Sequence, residues 1–149
     1  MGCDSLGFEI AETAHMLRRG YDRRAARLGI TRPQWRVIAR LGREPGLRQV
    51  DLADRLDMEP ITLCRILDRL EDAGLVERRR DPADRRAWRL ALTGKAEPLL
   101  ASLRLLATEL GGEAFDGFTH PEIEMLRGML ERVRENLSRP EAAPTKVSA

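Results

Sequence analysis

Apolar side chains recur at helical spacing in six separate segments of the chain. The first segment, Ile10–Leu28, ends at Gly29, a residue that favours helix termination. The second begins at Thr31, where Thr-Arg-Pro-Gln is a capping-box pattern with proline in the first turn. The apolar positions of this second helix, which we expect to be buried, are Trp35, Ile38 and Leu41.

Two short helices are predicted next. The first, Leu47–Leu56, should bury the apolar face formed by Val50, Ala53 and Leu56. The second, Pro60–Asp72, starts with a residue whose missing N–H is tolerated at a first helical position, and it stops at Gly74. Its apolar stripe consists of Leu63, Ile66, Leu67 and Leu70.

The pattern then changes to strand alternation. Val76–Arg80 and Ala87–Leu92 are predicted strands, and Asp81–Asp84 supplies the turn between them. Six arginines lie within this hairpin, namely Arg78, Arg79, Arg80, Arg85, Arg86 and Arg89.

Two more helices complete the chain. A long one follows Thr93, with leucines at helical spacing and a weak point at Gly111–Gly112. The last is opened by a capping box at Thr119–Glu122. The final segment, 140–149, is expected to be disordered. Four helices, a hairpin and two helices predict a mainly α fold, and a compact helical unit followed by a hairpin indicates a winged helix-turn-helix.

Charge is distributed unevenly along the chain. The net charge is only +2, yet Leu17–Arg40 holds eight arginines against one acid, and Gly94–Arg139 holds six basic residues against eight acids. Nearly all positive charge is arginine, whose planar fork suits phosphates and guanine edges. A codon bias would explain the same preference, so composition leaves the partner open.

The predicted helix Pro60–Asp72 has a polar stripe opposite its apolar one. Thr62, Arg65 and Arg69 recur there at spacings of three and four residues, so they point outward together. Arg65 in a major groove could make two hydrogen bonds to a guanine edge. The alternative is an ordinary surface helix with solvated arginines, which the neighbouring helix, turn and hairpin disfavour.

The hairpin offers a second contact with DNA. Arg85 and Arg86 lie at its tip, and a narrow groove between phosphate strands attracts an inserted arginine. Asp84 is expected to hold an arginine or a backbone N–H so that the tip keeps one shape. The hypothesis is that the hairpin arginines sit in and beside DNA grooves.

Other functional classes find little support in the sequence. Cys3 and Cys64 do not form a disulfide framework, and the two histidines assemble no catalytic, metal or cofactor site. No apolar run reaches membrane-spanning length and no signal-peptide pattern is present, so we expect a cytoplasmic protein without a membrane partner. A winged-helix module for protein–protein contact stays open as the alternative.

The motifs together resemble MarR-type transcriptional regulators over Leu6–Leu137. Leu67–Leu75 is similar to the end of their recognition helix, and Thr93–Leu99 resembles the SlyA branch. The segments similar to the signature of their hairpin, or wing, are Leu75–Arg78, Asp81–Ala87 and Leu90–Thr93.

The resemblance implies a homodimer that represses transcription from a near-palindromic operator and associates with the nucleoid when bound to double-stranded DNA. Segments 1–30 and 94–139 would form the helical dimerisation region, and 31–93 the DNA-binding domain. Thr62 and Arg65 would face the major groove and Arg86 would enter the minor groove. The predicted DNA-binding set is completed by Pro60, Ile61, Arg69, Asp84 and Arg85.

The resemblance also implies regulation by a small molecule. Many family members release DNA on binding a small aromatic carboxylate or phenolic compound, and the matching positions here are His15 and Trp35. Core packing is the alternative role for Trp35. A peroxide-sensing branch has a cysteine where this chain has Gly7, which leaves redox activity of Cys3 or Cys64 unassigned.

Overall fold

The computed structural model describes residues 3–139, so the predicted tail at 140–149 lies outside the described residues. Short 3₁₀ turns at Ala26–Leu28 and Gly94–Ala96 follow the first helix and precede the fifth. The element order confirms the predicted winged helix-turn-helix, and the hairpin β1–β2 is called the wing below. The elements are α1 Cys3–Ala25, α2 Arg32–Arg43, α3 Gln49–Leu56, α4 Pro60–Asp72, β1 Val76–Arg80, β2 Trp88–Leu92, α5 Glu97–Ala114 and α6 His120–Ser138.

Both predicted capping boxes are formed. The Thr31 hydroxyl accepts the N–H of Gln34, whose side chain accepts the N–H of Thr31. Thr119 and Glu122 make the same reciprocal pair at the start of α6. These contacts satisfy N–H groups that the first helical turn leaves without a partner, and they therefore fix where α2 and α6 begin.

An apolar core lies among α2, α3, α4, the wing and α5. The apolar stripe of α4 is buried in this core, so α4 cannot rotate to turn its polar stripe inward. The largest fully buried members of the core are Val37, Ile38, Leu41, Leu52, Leu63, Leu67, Leu70, Val76, Leu90 and Leu103.

The first helix differs from its predicted range. It begins at Cys3 rather than Ile10, and its last turn, 26–28, is 3₁₀. The apolar side chains of Leu6 and Phe8 are exposed. The first turns of α1 therefore add little to the core of this chain. A prediction based on a buried apolar stripe does not detect them.

The segment before α3 also corrects the prediction. Leu47 was assigned to the helix, but it lies in segment 46–48, which hydrogen-bonds to β2, and the helix begins at Gln49. With this start, Leu52 points into the core while Val50, two residues earlier, points away and is 58% exposed. The predicted burial of Val50 was wrong because periodicity alone left the helix register open.

The described chain divides into two compact units at Gly111/Gly112. Helix α5 continues through both glycines, so this predicted weak point does not end the helix. In the second unit α6 has no fully buried residue among those described. Among the described residues, no helix is both long and apolar enough to cross a membrane.

Candidate nucleic-acid interface

Helix α4 presents two opposite faces, as predicted. Its leucine stripe is buried, and Ile66 is partly buried against the same core. The hydroxyl and guanidinium groups of the polar stripe make no hydrogen bond or ion pair within residues 3–139. The exposed residues of this face and of the helix start are Pro60, Ile61, Thr62, Arg65 and Arg69.

A tight turn joins α3 to α4. Asp57 adopts a left-handed conformation with φ of 50°, which aspartate tolerates better than most residues with a Cβ. The Met58 N–H then donates to the Ala53 carbonyl at 3.0 Å. The chain reverses within three residues and brings α4 across α3, which is the geometry of a helix-turn-helix.

Arg78 ties the first strand of the wing to α4. Its guanidinium donates to the Asp68 carboxylate at 2.7 Å and to the Glu71 carboxylate and the Cys64 carbonyl, both at 3.3 Å. The side chain is only 15% exposed. Burial alone would lower the pKa of Arg78, but the hydrogen bond to Asp68 and the nearby negative charges outweigh it and the pKa is raised. Arg78 therefore stays charged and serves the fold.

Arg89 ties the second strand to the segment before α3. Its Nε donates to Asp81 Oδ2 and its Nη1 to the Gly46 carbonyl, each at 3.0 Å. Asp81 is 3% exposed and also accepts the Ala83 N–H at 2.8 Å. That backbone bond, opposed by desolvation and helped by Arg89, lowers the pKa of the Asp81 carboxyl.

The wing tip is held from inside, while its side chains point outward. Arg80 donates to the Arg85 carbonyl at 2.7 Å and stacks 4.0 Å from the centroid of Trp88. Asp84 accepts the N–H of Arg86 at 3.0 Å, which is the kind of supporting contact expected of it. The guanidinium groups of Arg85 and Arg86 are exposed and make no hydrogen bond or ion pair within the described chain.

Four of the six hairpin arginines therefore have partners within the chain. Arg78 and Arg89 are held by buried or helix-borne acceptors, Arg80 supports the tip, and Arg79 pairs with Glu77. Of the six, Arg85 and Arg86 have guanidinium groups left unengaged within residues 3–139. A wing that carried six unpaired arginines would repel itself, so internal pairing of most of them favours folding.

The partners of these arginines were missed in the sequence. Asp81 was assigned only to the turn, and no role was given to Asp68 or Glu71. One signal was available for Asp81. Arg89 stands opposite Arg79 in the hairpin, and Asp81, two residues beyond Arg79, shares its face, so the carboxylate and Arg89 are diagonal neighbours.

Comparison with known proteins agrees with this geometry. A family profile described as MarR family matches residues 28–87. A solved MarR transcriptional regulator from Methanosarcina mazei Go1 is 30% identical, covers 89% of this chain and 96% of its own, and superposes with a TM-score of 0.78. The chain belongs to the MarR family.

Other solved structures extend the similarity to this MarR family protein. The transcriptional regulator PA3341 is 34% identical over 89% of this chain and 97% of its own, with a TM-score of 0.80. A mutant MarR from E. coli, solved with operator DNA, is 27% identical over 87% and 93%, with a TM-score of 0.71. The regulator SlyA matches at 26% identity over 89% and 94%, with a TM-score of 0.75, in line with a SlyA-like branch. The family and fold are those of transcriptional regulators.

The two candidate effector residues of this MarR family protein lie in different surroundings. His15 is exposed on α1. Trp35 is partly buried on α2, with its ring 4.3 Å from that of Tyr21 and its indole N–H donating to Asp22 at 2.9 Å. No hydrogen bond or ring contact joins His15 to Trp35 within residues 3–139. Trp35 packs against the core and has its polar edge occupied.

Asp22 is the acceptor that organises this region. Partial burial opposes its ionisation, but hydrogen bonds from Arg32, at 2.6 Å, and from Trp35 outweigh that effect and lower its pKa. A carboxyl whose pKa is lower in the folded chain adds stability above its unfolded pKa, and that stability is lost as the pH falls through the folded value.

Asp22→Ala should therefore destabilise the protein at neutral pH. It leaves the partly buried indole N–H of Trp35 without its acceptor, which costs about 1–3 kcal/mol of unfolding free energy. The unfolding free energy of the variant should also fall less than that of wild type as the pH is lowered below about 4. Urea unfolding of wild type and variant at several pH values measures both effects. Asp54→Ala, at an exposed aspartate on α3, is the control, and equal stability of the two variants would contradict the assignment.

Cys64 is the cysteine of α4. Cys64 is partly buried, with its sulfur 3.8 Å from an Arg78 nitrogen, while the side chain of Cys3 is outside the described part. Within the described residues no cluster of three or more His, Cys, Asp or Glu side chains could hold a metal ion. Redox activity of either cysteine is not assigned.

Proposed function

We propose that this MarR family protein regulates transcription by binding specific double-stranded DNA sequences as a homodimer. The observation that carries the proposal is the division of its arginines. Arg65 and Arg69 on α4, and Arg85 and Arg86 on the wing tip, are exposed and unpaired within the described chain. Arg78 and Arg89 of the wing are instead paired with the carboxylates of Asp68 and Asp81. Unpaired arginines on two adjacent elements suit a polyanion that is contacted in two grooves.

In this proposal α4 reads the major groove. Arg65 lies on its exposed face, where a guanidinium makes two hydrogen bonds to O6 and N7 of a guanine. Thr62, three residues earlier, would donate to a phosphate or contact a thymine methyl, and Arg69 would contact the backbone. Pro60 and Ile61 would lie where the helix enters the groove. The leucine stripe supports this role, since it prevents α4 from rotating about its axis.

The wing would supply the second contact. Arg86, with Arg85 beside it, would insert into the minor groove, whose narrow form has an enhanced negative potential. The tip supports this role because Asp84 and Arg80 hold the backbone of these two residues and leave both side chains free within the described chain. A preorganised tip loses less conformational entropy on binding.

Exposed apolar side chains support the homodimer. Large apolar groups rarely cluster on the surface of a monomer, and such clusters mark interaction sites. Most of them lie on α1, α5 and α6, while Leu28, Val50, Ile61 and Phe118 are exposed elsewhere. Those on the three helices are Leu6, Phe8, Ile10, Met16, Leu105, Met125, Met129, Val133 and Leu137. We propose that 1–30 and 94–139 pair with a second copy of the chain.

A symmetric dimer would present two α4 helices to two half-sites about one helical turn apart, which requires a near-palindromic operator. The mutant MarR from E. coli was solved in complex with operator DNA. By analogy we propose an operator-binding repressor. It would act in the cytoplasm and associate with the nucleoid when bound to DNA. Repression would follow because a protein seated in both grooves excludes other proteins from the same duplex.

Release by a small aromatic carboxylate or a phenolic compound is a further part of the family resemblance. The two contacts of Trp35, with Tyr21 and Asp22, favour a packing role for that residue. A ligand that bound the indole N–H of Trp35 would have to displace Asp22 from it. The effector role of His15 and Trp35 stays a prediction, and we propose the DNA-binding activity independently of it.

The alternative function is a winged-helix module that binds another protein. Its exposed arginines would then serve as solubility charge, and no duplex would bind with the steep salt dependence that phosphate contacts produce. The unpaired arginines of α4 and the wing tip favour DNA binding over this alternative. A solubility role would give no reason for Arg78 and Arg89 to be paired while those arginines are left unpaired.

Selection of bound sequences from random duplex DNA, at near-physiological salt, tests the proposal. Wild type should enrich a near-palindrome whose half-sites are one turn apart, and Arg65→Ala should enrich a blurred version of it. Failure of the wild-type protein to enrich any sequence, with no salt-dependent affinity for duplex DNA, would refute the proposal and favour the protein-binding module. Enrichment of a single half-site would refute the symmetric dimer and retain DNA binding.

Replacing Arg86 should weaken binding without changing base preference in the major groove. Arg86→Ala removes one minor-groove cation while leaving α4 intact, so affinity for the enriched duplex should fall by about 1 kcal/mol or more. Fluorescence anisotropy measures the affinity, and repeated selection measures the preference. Arg43→Ala, at an exposed arginine on α2, is the control for loss of one charge. Equal affinities of the two variants would contradict the role of the tip.

A further inference from the structure

We infer that Asp81 and Arg89 act as a positioning pair, which holds the wing against segment 46–48 and so determines whether Arg86 reaches a DNA groove. This inference rests on the proposed function and adds to it, because neither residue is expected to touch DNA. It concerns a buried carboxylate and a guanidinium whose polar atoms bind each other and the backbone, unlike the exposed arginines of the tip.

Both oxygens of Asp81 are used. Oδ1 accepts the N–H of Ala83 inside the turn at 2.8 Å, and Oδ2 accepts Nε of Arg89 on the opposite strand at 3.0 Å. The side chain is 3% exposed. A carboxylate so buried has lost its water and depends on these two donors, so it prefers this one arrangement of the turn relative to β2.

Arg89 extends the connection beyond the hairpin. While Nε binds Asp81, Nη1 donates to the carbonyl of Gly46 at 3.0 Å. The backbone adds two bonds at the same place, from the Gly46 N–H to the Leu90 carbonyl and from the Leu90 N–H to the Leu47 carbonyl. Segment 46–48 directly precedes α3, so Arg89 links the wing turn to the helix-turn-helix through one side chain.

An isolated two-stranded hairpin is marginally stable, and the wing has only five paired positions on each strand. Arg78 fixes β1 to α4 one ladder position nearer the base of the hairpin than Arg89. The Asp81–Arg89 pair is the corresponding connection on the tip side. Asp81 immediately precedes the tip, and its N–H donates to the Ala87 carbonyl just beyond it. Without the pair, the tip would keep its local contacts but would sample several positions relative to α4.

The sign of the effect separates positioning from simple electrostatics. Asp81→Asn removes a negative charge close to the proposed DNA surface, and long-range attraction alone would then tighten binding. The positioning role predicts the opposite. The new amide can still accept from Ala83, but its NH₂ group cannot accept from Arg89, so the wing loosens and affinity for the enriched duplex falls.

A double-mutant cycle provides the test. Affinities of wild type, Asp81→Asn, Arg86→Ala and the double variant are measured by anisotropy on the enriched duplex and on a scrambled one. We expect Asp81→Asn to weaken binding to the enriched duplex about tenfold and to leave binding to the scrambled duplex unchanged or tighter. In the Asp81→Asn background, we expect Arg86→Ala to reduce affinity by no more than about threefold. Thermal unfolding checks that each variant is folded at the assay temperature.

Arg89→Lys and Arg79→Gln complete the design. Lysine keeps the charge but cannot bridge Asp81 and Gly46 with two separate nitrogens, so Arg89→Lys should lose affinity for the enriched duplex as Asp81→Asn does. Arg89→Lys replaces Asp81→Asn in the cycle if Asp81→Asn is unfolded. Arg79→Gln removes an exposed charge from the same hairpin and should leave the cost of Arg86→Ala unchanged. If the two substitutions lower affinity by independent factors that multiply in the double variant, the inference is overturned and the DNA-binding function is retained. Absence of duplex binding by wild type would overturn the proposed function, and the inference with it.

Discussion

Arg65→Ala should lower affinity for the operator by roughly 5- to 150-fold per half-site, the equivalent of about 1–3 kcal/mol for one bidentate contact with guanine. The reason lies in the two faces of α4. Its leucine stripe is fully buried, so the helix cannot turn to bring a substitute for Arg65 to the groove. Base preference at one position per half-site should relax along with affinity.

Two controls make the result specific to base reading. Arg65→Lys keeps the positive charge but loses the planar fork, so it should recover part of the affinity and little of the base preference. Arg43→Ala removes the same charge from the end of α2 and should have a small effect. Affinity is measured by anisotropy on the operator and on a duplex changed at the affected base. Undiminished discrimination by Arg65→Ala would show that another residue reads that base.

Leu67→Ala should lower the free energy of unfolding by about 2–5 kcal/mol, because it shortens a side chain that has no exposure and leaves a cavity. Leu67 lies midway along α4, within the core that α4 shares with α2, α3 and the wing. The loss is a large part of the total stability of a small protein. Operator binding should then fail at a lower temperature than in wild type, although no DNA-facing residue has changed.

Ile61→Ala is the matched control for the core substitution. Ile61 is on the same helix but is 62% exposed, so its truncation should change the unfolding free energy by no more than about 0.5 kcal/mol. Urea unfolding, followed by circular dichroism, measures both variants. A cost below about 1 kcal/mol for Leu67→Ala would mean that neighbouring side chains refill the space, and α4 would then be less firmly fixed than its burial indicates.

Much of the fold could be predicted from the sequence because local signals coincide with element boundaries. The two capping boxes, Pro60 at a helix start and glycines at helix ends all act over a few residues, and the structure confirms them. The start of α1 and the burial of Val50 were wrong for a common reason. Both depend on which neighbours lie alongside, and spacing along one segment carries no information about neighbours.

The candidate site divides in the same way. The exposure of Thr62, Arg65 and Arg69 follows from helical period alone, so it was predicted. The contacts of Arg78 and Arg89 depend on carboxylates 10 residues and 8 residues earlier in the chain, which folding brings within hydrogen-bond distance. An arginine in a sequence looks the same whether its partner is a phosphate or an aspartate. Only the packed structure distinguishes them.

The internal pairing of most wing arginines has a consequence for how binding would respond to salt. When a free guanidinium meets DNA, condensed counterions leave the duplex, and each such contact steepens the fall of affinity with ionic strength. A guanidinium already joined to Asp68 or Asp81 displaces none. Arg78 and Arg89 would therefore add little to the ionic response of the wing, and affinity should fall less steeply with salt than its six arginines suggest.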